Sequence, residues 1–144
     1  MKKSFLVILA LISTSVFADD NKNYILPKQY IAECGSCHVA YPGELLPKNS
    51  WRAINSNLKN HFGNDATIDE KTLKDINQYL MNTTTYRKAE ETKDNRITSA
   101  KWFIKEHREA KAPTKTNFSN CMACHTKSEN GNYSLRGYKG FRDD

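Results

Sequence analysis

The 144-residue chain has no apolar run beyond residue 18 that approaches the about 20 residues needed to cross a bilayer. A polytopic membrane protein is excluded. Glycine and proline are scarce, at six and four residues, and no segment is of low complexity. With aromatics at 10%, that argues against wholesale disorder and against Gly- or Pro-rich linker chains. No Gly-rich loop suited to cradling phosphate is present. No nucleophile–His–Asp arrangement or paired carboxylates stand out. No segment alternates convincingly enough to be a strand. The length leaves no room for a large multidomain enzyme.

What is present begins with an export pattern. Lys2 and Lys3 precede an apolar run from Phe5 to Val16, broken only by Ser13, Thr14 and Ser15. Val16-Phe17-Ala18 supplies a cleavage site, and Asp19 and Asp20 follow. Residues 1–18 read as a signal peptide cut after Ala18, which sends the mature chain to the periplasm. The alternative is an uncleaved N-terminal anchor, for which the run is short. The formal charge of +6, from 22 basic and 16 acidic residues, suggests at first an anionic partner such as nucleic acid or lipid. Losing Lys2 and Lys3 lowers it to +4, and nucleic acid is not expected for an exported protein.

The four cysteines fall in two pairs, each followed at once by histidine. They are Cys34-Gly35-Ser36-Cys37-His38 and Cys121-Met122-Ala123-Cys124-His125. Cys-x-x-Cys-His is the attachment motif of c-type haem. Two thiols three positions apart lie on one side of a turn, where each can add to a haem vinyl group. The adjacent imidazole can then reach the iron. Three other readings use the same cysteines: an all-thiolate zinc site, two disulfides, or a thioredoxin-like redox pair. None requires histidine directly after the second cysteine, and here that occurs twice. Two covalently bound haem c groups are therefore expected, on Cys34, Cys37 and His38 and on Cys121, Cys124 and His125.

Two haems offer four axial positions. His38 and His125 fill the proximal pair, and only His61 and His107 remain among the four histidines, one near each motif. They are the candidate distal iron ligands. Methionine is the rival type of distal ligand. Met1 lies in the signal and Met122 inside an attachment loop, which leaves Met81 as the alternative or as a core residue.

The mature chain divides into a first haem domain over residues 19–83, a charged linker over 84–96 and a second haem domain over 97–144. Pro27 can start a short helix that runs into Cys34. Residues 41–47, with two prolines and a glycine, read as irregular chain wrapping a haem edge. Ser50 is a candidate N-cap for a helix over 51–62. Its face of Trp51, Ile54, Leu58 and His61 would point the imidazole inward. A third helix is expected over 68–82, with Thr67 and Glu70 at capping-box spacing and Leu73, Ile76 and Leu80 as its buried stripe. Thr98 or Ser99 would cap a helix reaching Ala110, with Phe103 and His107 on its inner face. The remaining tail, with Tyr133, Leu135, Tyr138 and Phe141, reads as irregular chain over the second haem. The expected class is all-α. Each unit has roughly fifty to sixty-five residues, near the lower limit for burying a core, so a covalent porphyrin would supply missing apolar interior.

The motif strings resemble the dihaem cytochrome c family, often called DHC. They are Cys34 to His38, Ala40-Tyr41-Pro42, Leu45-Leu46-Pro47, Ser50-Trp51-Arg52, His61-Phe62-Gly63 and Ala66, then the Ile76–Leu80 segment. Arg96-Ile97-Thr98, Trp102-Phe103, Glu106-His107, Asn120-Cys121 and Ala123-Cys124-His125 carry the likeness onward. The resemblance implies a bacterial periplasmic electron carrier with a class I cytochrome c-like N-terminal domain and a smaller, loop-rich C-terminal one. It implies bis-histidine ligation at both irons, with His38 and His125 proximal and His61 and His107 distal. It also implies a redox partner that is a membrane b-type cytochrome or a small soluble oxygen-binding haem protein. The chain departs most from the family in its charged linker.

With both axial positions filled, outer-sphere electron transfer rather than catalysis is expected, at potentials below those of His/Met cytochromes. The alternative is a peroxidase-like enzyme or sensor in which His61 or His107 dissociates. Lys48, Arg52 and Lys59 are either a docking patch or a solvated helix face. Four haem propionates would bring the remaining +4 close to zero.

Overall fold

The computed structural model describes residues 23–84, 92, 94–108, 110 and 118–135. The proposed signal, most of the linker, and Tyr138 and Phe141 lie outside these residues. Among the described residues the chain is helical, with isolated bridges and no strands. None of the helices among the described residues is long and apolar enough to cross a membrane.

Four α-helices carry the architecture: α1 over Lys28–Cys34, α2 over Lys48–Asn55, α3 over Glu70–Thr83 and α4 over Lys101–Glu106. Helix α1 starts after Pro27, whose fixed φ favours a first turn, and delivers Cys34 at its last position. Helix α2 begins two residues before the expected cap. Pro47 is its N-cap, and Ser50 lies buried within the first turns. The helix also stops at Asn55, seven residues short of the expected end. The Ser56 hydroxyl donates to the Ala53 carbonyl in competition with the helical ladder, and the chain passes through Asn57 into a 3-10 turn over Leu58–Asn60. His61 is therefore presented by a turn, not by a helix face.

Helix α3 is capped by Asp69 rather than Thr67: the Asp69 carboxylate accepts from the Thr72 amide at 2.9 Å. Thr67 instead donates its amide and hydroxyl to Asp65. Ile76 and Leu80 are buried as expected, but Thr72 takes the third buried position and Leu73 is half-buried. The expected helix from Thr98 to Ala110 is shorter. Residues Ile97–Ser99 form a 3-10 turn, Ser99 donates to Asp94 at 2.8 Å, and α4 runs only from Lys101 to Glu106.

One hydrophobic core joins Tyr30, Ala40, Leu45, Leu46, Trp51, Ile76 and Leu80 with Ile97, Ala100 and Phe103. Helices α2 and α3 pack together, and α3 covers the turn at Gly43–Leu45. The N-terminal segment reaches the other end of the chain, where the Tyr24 amide donates to the Gly131 carbonyl at 2.9 Å. Gly131 has φ +79, and a Cβ there would strike the Tyr24 carbonyl. Only glycine suits that approach.

Candidate functional site

The structure brings the four histidines together in two pairs. The ring centres of His38 and His61 lie 6.0 Å apart, with planes 25° from parallel. Those of His107 and His125 lie 6.2 Å apart, with planes at 80°. A metal with one ring nitrogen on each side, at about 2 Å per bond, separates coaxial imidazole centres by about 6 Å once the ring radii are added. Direct imidazole stacking would be much closer, so both pairs leave room for an iron between them.

The tautomers also fit. His38 lies with Nδ1 2.7 Å from the Val39 carbonyl, and His107 with Nδ1 2.9 Å from the Phe103 carbonyl. A carbonyl can only accept, so each Nδ1 carries the proton and each Nε2 keeps its lone pair for a metal. The buried Nδ1 of His61 has no protein partner. Burial, the neighbouring His38 and Arg96 push its pKa down. Burial likewise lowers that of His125, with His107 adding to the effect against opposing backbone contacts from Tyr133 and Ser134. Both shifts favour the neutral ring that coordination requires.

His61 sits at the start of a tight turn closed by two hydrogen bonds, His61 N–H to Asn64 O at 2.7 Å and Asn64 N–H to His61 O at 3.1 Å. The central residues, Phe62 and Gly63, have φ of 51° and 97°. A left-handed Phe costs on the order of 1 kcal/mol. Arg96 offsets part of that cost, its guanidinium lying 4.3 Å over the Phe62 ring. A cavity of about 320 Å³ opens beside this turn, lined by His61, Phe62, Ile54 and Asn95. His107 is held differently. It follows α4, and the Phe103 ring stacks on it at 3.9 Å while Phe118 meets its edge at 5.6 Å.

The cysteines lie beside their histidines on two kinds of local structure. Cys34 ends α1, and Cys37 is exposed in the turn that follows. The second pair sits on the 3-10 turn Cys121–Ala123, where the His125 amide donates to the Cys121 carbonyl at 2.8 Å. All four sulfurs are unbridged, which disfavours the disulfide reading. Burial, then the Glu33 charge, pushes the Cys34 thiol up to about 11, and burial raises Cys121 as well. Those are the opposite of the depressed values of thioredoxin-like thiols. Among the described residues no group of three or more His, Cys, Asp or Glu side chains gathers as a zinc site would need. Met81 packs against the hydrophobic core as a half-buried side chain.

Tyrosines pack around both histidine pairs, and of these only Tyr24 had little sequence signal. Tyr133 packs on His125, with ring centres 5.5 Å apart. The Tyr24 ring meets Tyr133 edge-on at 5.7 Å. Tyr41 stacks on His38 at 4.8 Å with planes 19° apart. Tyr41 lies in the 41–47 segment expected to wrap a haem edge, and Tyr133 in the tail expected over the second haem.

The chain is similar to several solved structures. The crystal structure of DHC purified from Rhodobacter sphaeroides is 36% identical, covering 76% of this chain and 99% of that one, with a TM-score of 0.65. A diheme cytochrome c from the same organism is 32% identical over 77% and 99% of the two chains, with a TM-score of 0.68. The diheme cytochrome c of Shewanella baltica OS155 is 38% identical over 74% and 87%, with a TM-score of 0.61. No curated protein sequence matches. The dihaem cytochrome c family model matches residues 30–133, and the chain belongs to that all-α family of haem electron carriers.

Proposed function

We propose that the mature protein is a periplasmic electron carrier holding two covalent haem c groups, each between two histidines. Cys34 and Cys37 form one pair of thioethers, and Cys121 and Cys124 the other. His38 and His125 serve as proximal ligands, His61 and His107 as distal ones. Each bound haem would supply a one-electron iron couple. The observation that carries this reading is the separation of the two histidine pairs, 6.0 and 6.2 Å, each beside a Cys-x-x-Cys-His motif.

The residues imply the chemistry. The Val39 and Phe103 carbonyls orient His38 and His107 and raise their basicity as ligands. Four imidazoles would close every axial position, so no reactant reaches iron without displacing one, and the protein works by outer-sphere transfer and not as an enzyme. Imidazole favours ferric iron more than thioether does, which sets both potentials below those of His/Met cytochromes. The partners proposed from the family resemblance are a membrane b-type cytochrome on one side and a small soluble haem protein on the other. Export rests on residues 1–18, whose pattern supports cleavage after Ala18.

The test is the purified holoprotein. Its intact mass should equal the chain from Asp19 plus two haems, and low-temperature magnetic resonance should find both ferric irons low-spin. A high-spin iron, or carbon monoxide binding to the reduced protein, would overturn bis-histidine ligation.

A further inference from the structure

We propose that Arg96 is a positioning residue for His61: its guanidinium, lying on the Phe62 ring, holds closed the turn that presents this distal ligand. This rests on the reading of His61 as an iron ligand given above. The hydrogen bonds that shape the turn are local. They join His61 and Asn64 in both directions, the Gly63 amide to Asn60 Oδ1 at 3.2 Å, and the Ala66 amide to the Leu58 carbonyl at 2.9 Å. Phe62 sits at a φ of 51° and is 41% exposed, so burial does little to keep it there. Its ring meets the His61 ring edge-on at 4.9 Å. A Phe62 that leaves its left-handed conformation takes the imidazole with it.

Arg96 reaches this ring from the other half of the chain, and from a fixed point. Its amide donates to Asp94 Oδ1 at 3.1 Å, and its carbonyl accepts from the Ser99 amide at 3.1 Å. The next residue, Ile97, is buried in the shared core with Ala100 and Phe103. On the other side, Asn95 lines the same cavity as His61 and Phe62. The Asp94 carboxylate lies 3.8 Å from Arg96 Nε, but both side chains are about half exposed and that pair contributes little. The Phe62 face is the more specific partner, since 4.3 Å to the ring centre is well within the range in which a cation gains from an aromatic quadrupole. That contact exists only while the turn is closed, so it biases His61 towards the iron. Phe103 seats His107, and the short stretch from Arg96 to His107 thus steadies both distal ligands.

The experiment follows cyanide binding to the ferric holoprotein at saturating cyanide, where departure of His61 limits the rate. One nitrogen–iron bond breaks, the cyanide carbon takes the same position, and iron stays ferric. Samples frozen at intervals give the decay of each low-spin signal separately. Arg96→Gln should speed the loss of the His38/His61 signal about threefold, the scale of one half-exposed cation–π contact, and leave the His107/His125 signal at its wild-type rate. Loss of a positive charge does not by itself hasten an anion, so the acceleration reads the loosened turn. Phe62→Leu should give the same acceleration, the double variant should add nothing to it, and Arg96→Lys should stay near wild type. An unchanged rate in Arg96→Gln, equal acceleration at both sites, Arg96→Lys as fast as Arg96→Gln, or additive effects of the Arg96 and Phe62 variants would overturn the proposal. A wild-type protein with one haem or a high-spin iron would instead overturn the function proposed above.

Discussion

The loop that carries Tyr41 is clamped at one backbone atom, and that clamp makes a quantitative prediction. The Gly43 carbonyl accepts from Trp51 Nε1 at 2.7 Å and from the Thr84 hydroxyl at 3.1 Å. Trp51 is 5% exposed, and Gly43 is buried. The Thr84 hydroxyl also lies 2.7 Å from the Leu80 carbonyl, so its single proton is shared and Trp51 is the stronger donor. Trp51→Phe loses one hydrogen bond and part of a buried ring but leaves Thr84 on the acceptor, at a cost of about 2 kcal/mol. Thr84→Val leaves Trp51 in place and costs about 0.5 kcal/mol. The double variant leaves a buried carbonyl with neither donor. Its cost should exceed the sum of the two by about 1 kcal/mol, because an unsatisfied buried acceptor bears its full desolvation penalty. Guanidinium unfolding of the holoproteins, followed by circular dichroism and by the Soret band, measures all four corners of the cycle. Additivity within about 0.3 kcal/mol would refute the shared-acceptor argument.

Removing the distal ring in His107→Ala should leave one iron open, so the reduced variant binds one equivalent of carbon monoxide and the ferric variant shows one high-spin signal; a fully low-spin variant would exclude His107 as a ligand. The two sites should differ in magnetic resonance. Planes 25° apart at His38/His61 split the iron d orbitals rhombically, whereas planes 80° apart at His107/His125 leave them nearly degenerate with a more anisotropic signal. Two identical signals would contradict that geometry. Asp69 has its pKa held below 3.8 by the Thr72 hydrogen bonds, so its cap is fully formed above that value and lost as pH falls through the folded value. Asp69→Ala should therefore lower urea stability at pH 7, with the gap to wild type closing toward pH 2.

How much of this was legible follows from what each feature depends on. The cysteine motifs are local chemistry, and so is the start of α1 after Pro27. The buried pair Ile76 and Leu80 follows from helical period alone, and the structure has it. Helix ends were misplaced because they turn on competition among neighbouring polar groups. Thr67 and Asp69 both qualify as caps, and Asp65 decides between them by taking the Thr67 donors. Trp51, Ile54, Leu58 and His61 suit one helix face, yet Ser56 caps the helix first. The imidazole still reaches 6.0 Å from His38, through a turn whose two left-handed residues no periodicity reveals.

The expected boundary between two haem units falls largely outside the described residues, but the packing on either side of it bears on how so short a chain holds two cofactors. Tyr30, Leu46 and Leu80 share one core with Ile97, Ala100 and Phe103. Phe103 in turn seats His107 by its ring and by its carbonyl. A chain near the limit for burying its own core gains by using one apolar cluster for both halves. Sharing extends to the chain's two ends. The N-terminal segment reaches the second half of the chain: the Tyr24 amide donates to the Gly131 carbonyl, and the Tyr24 ring meets Tyr133, which packs on His125. Tyr24 and Tyr41 pack as half-buried side chains against that same cluster, so substitutions there should lower the stability of both halves together.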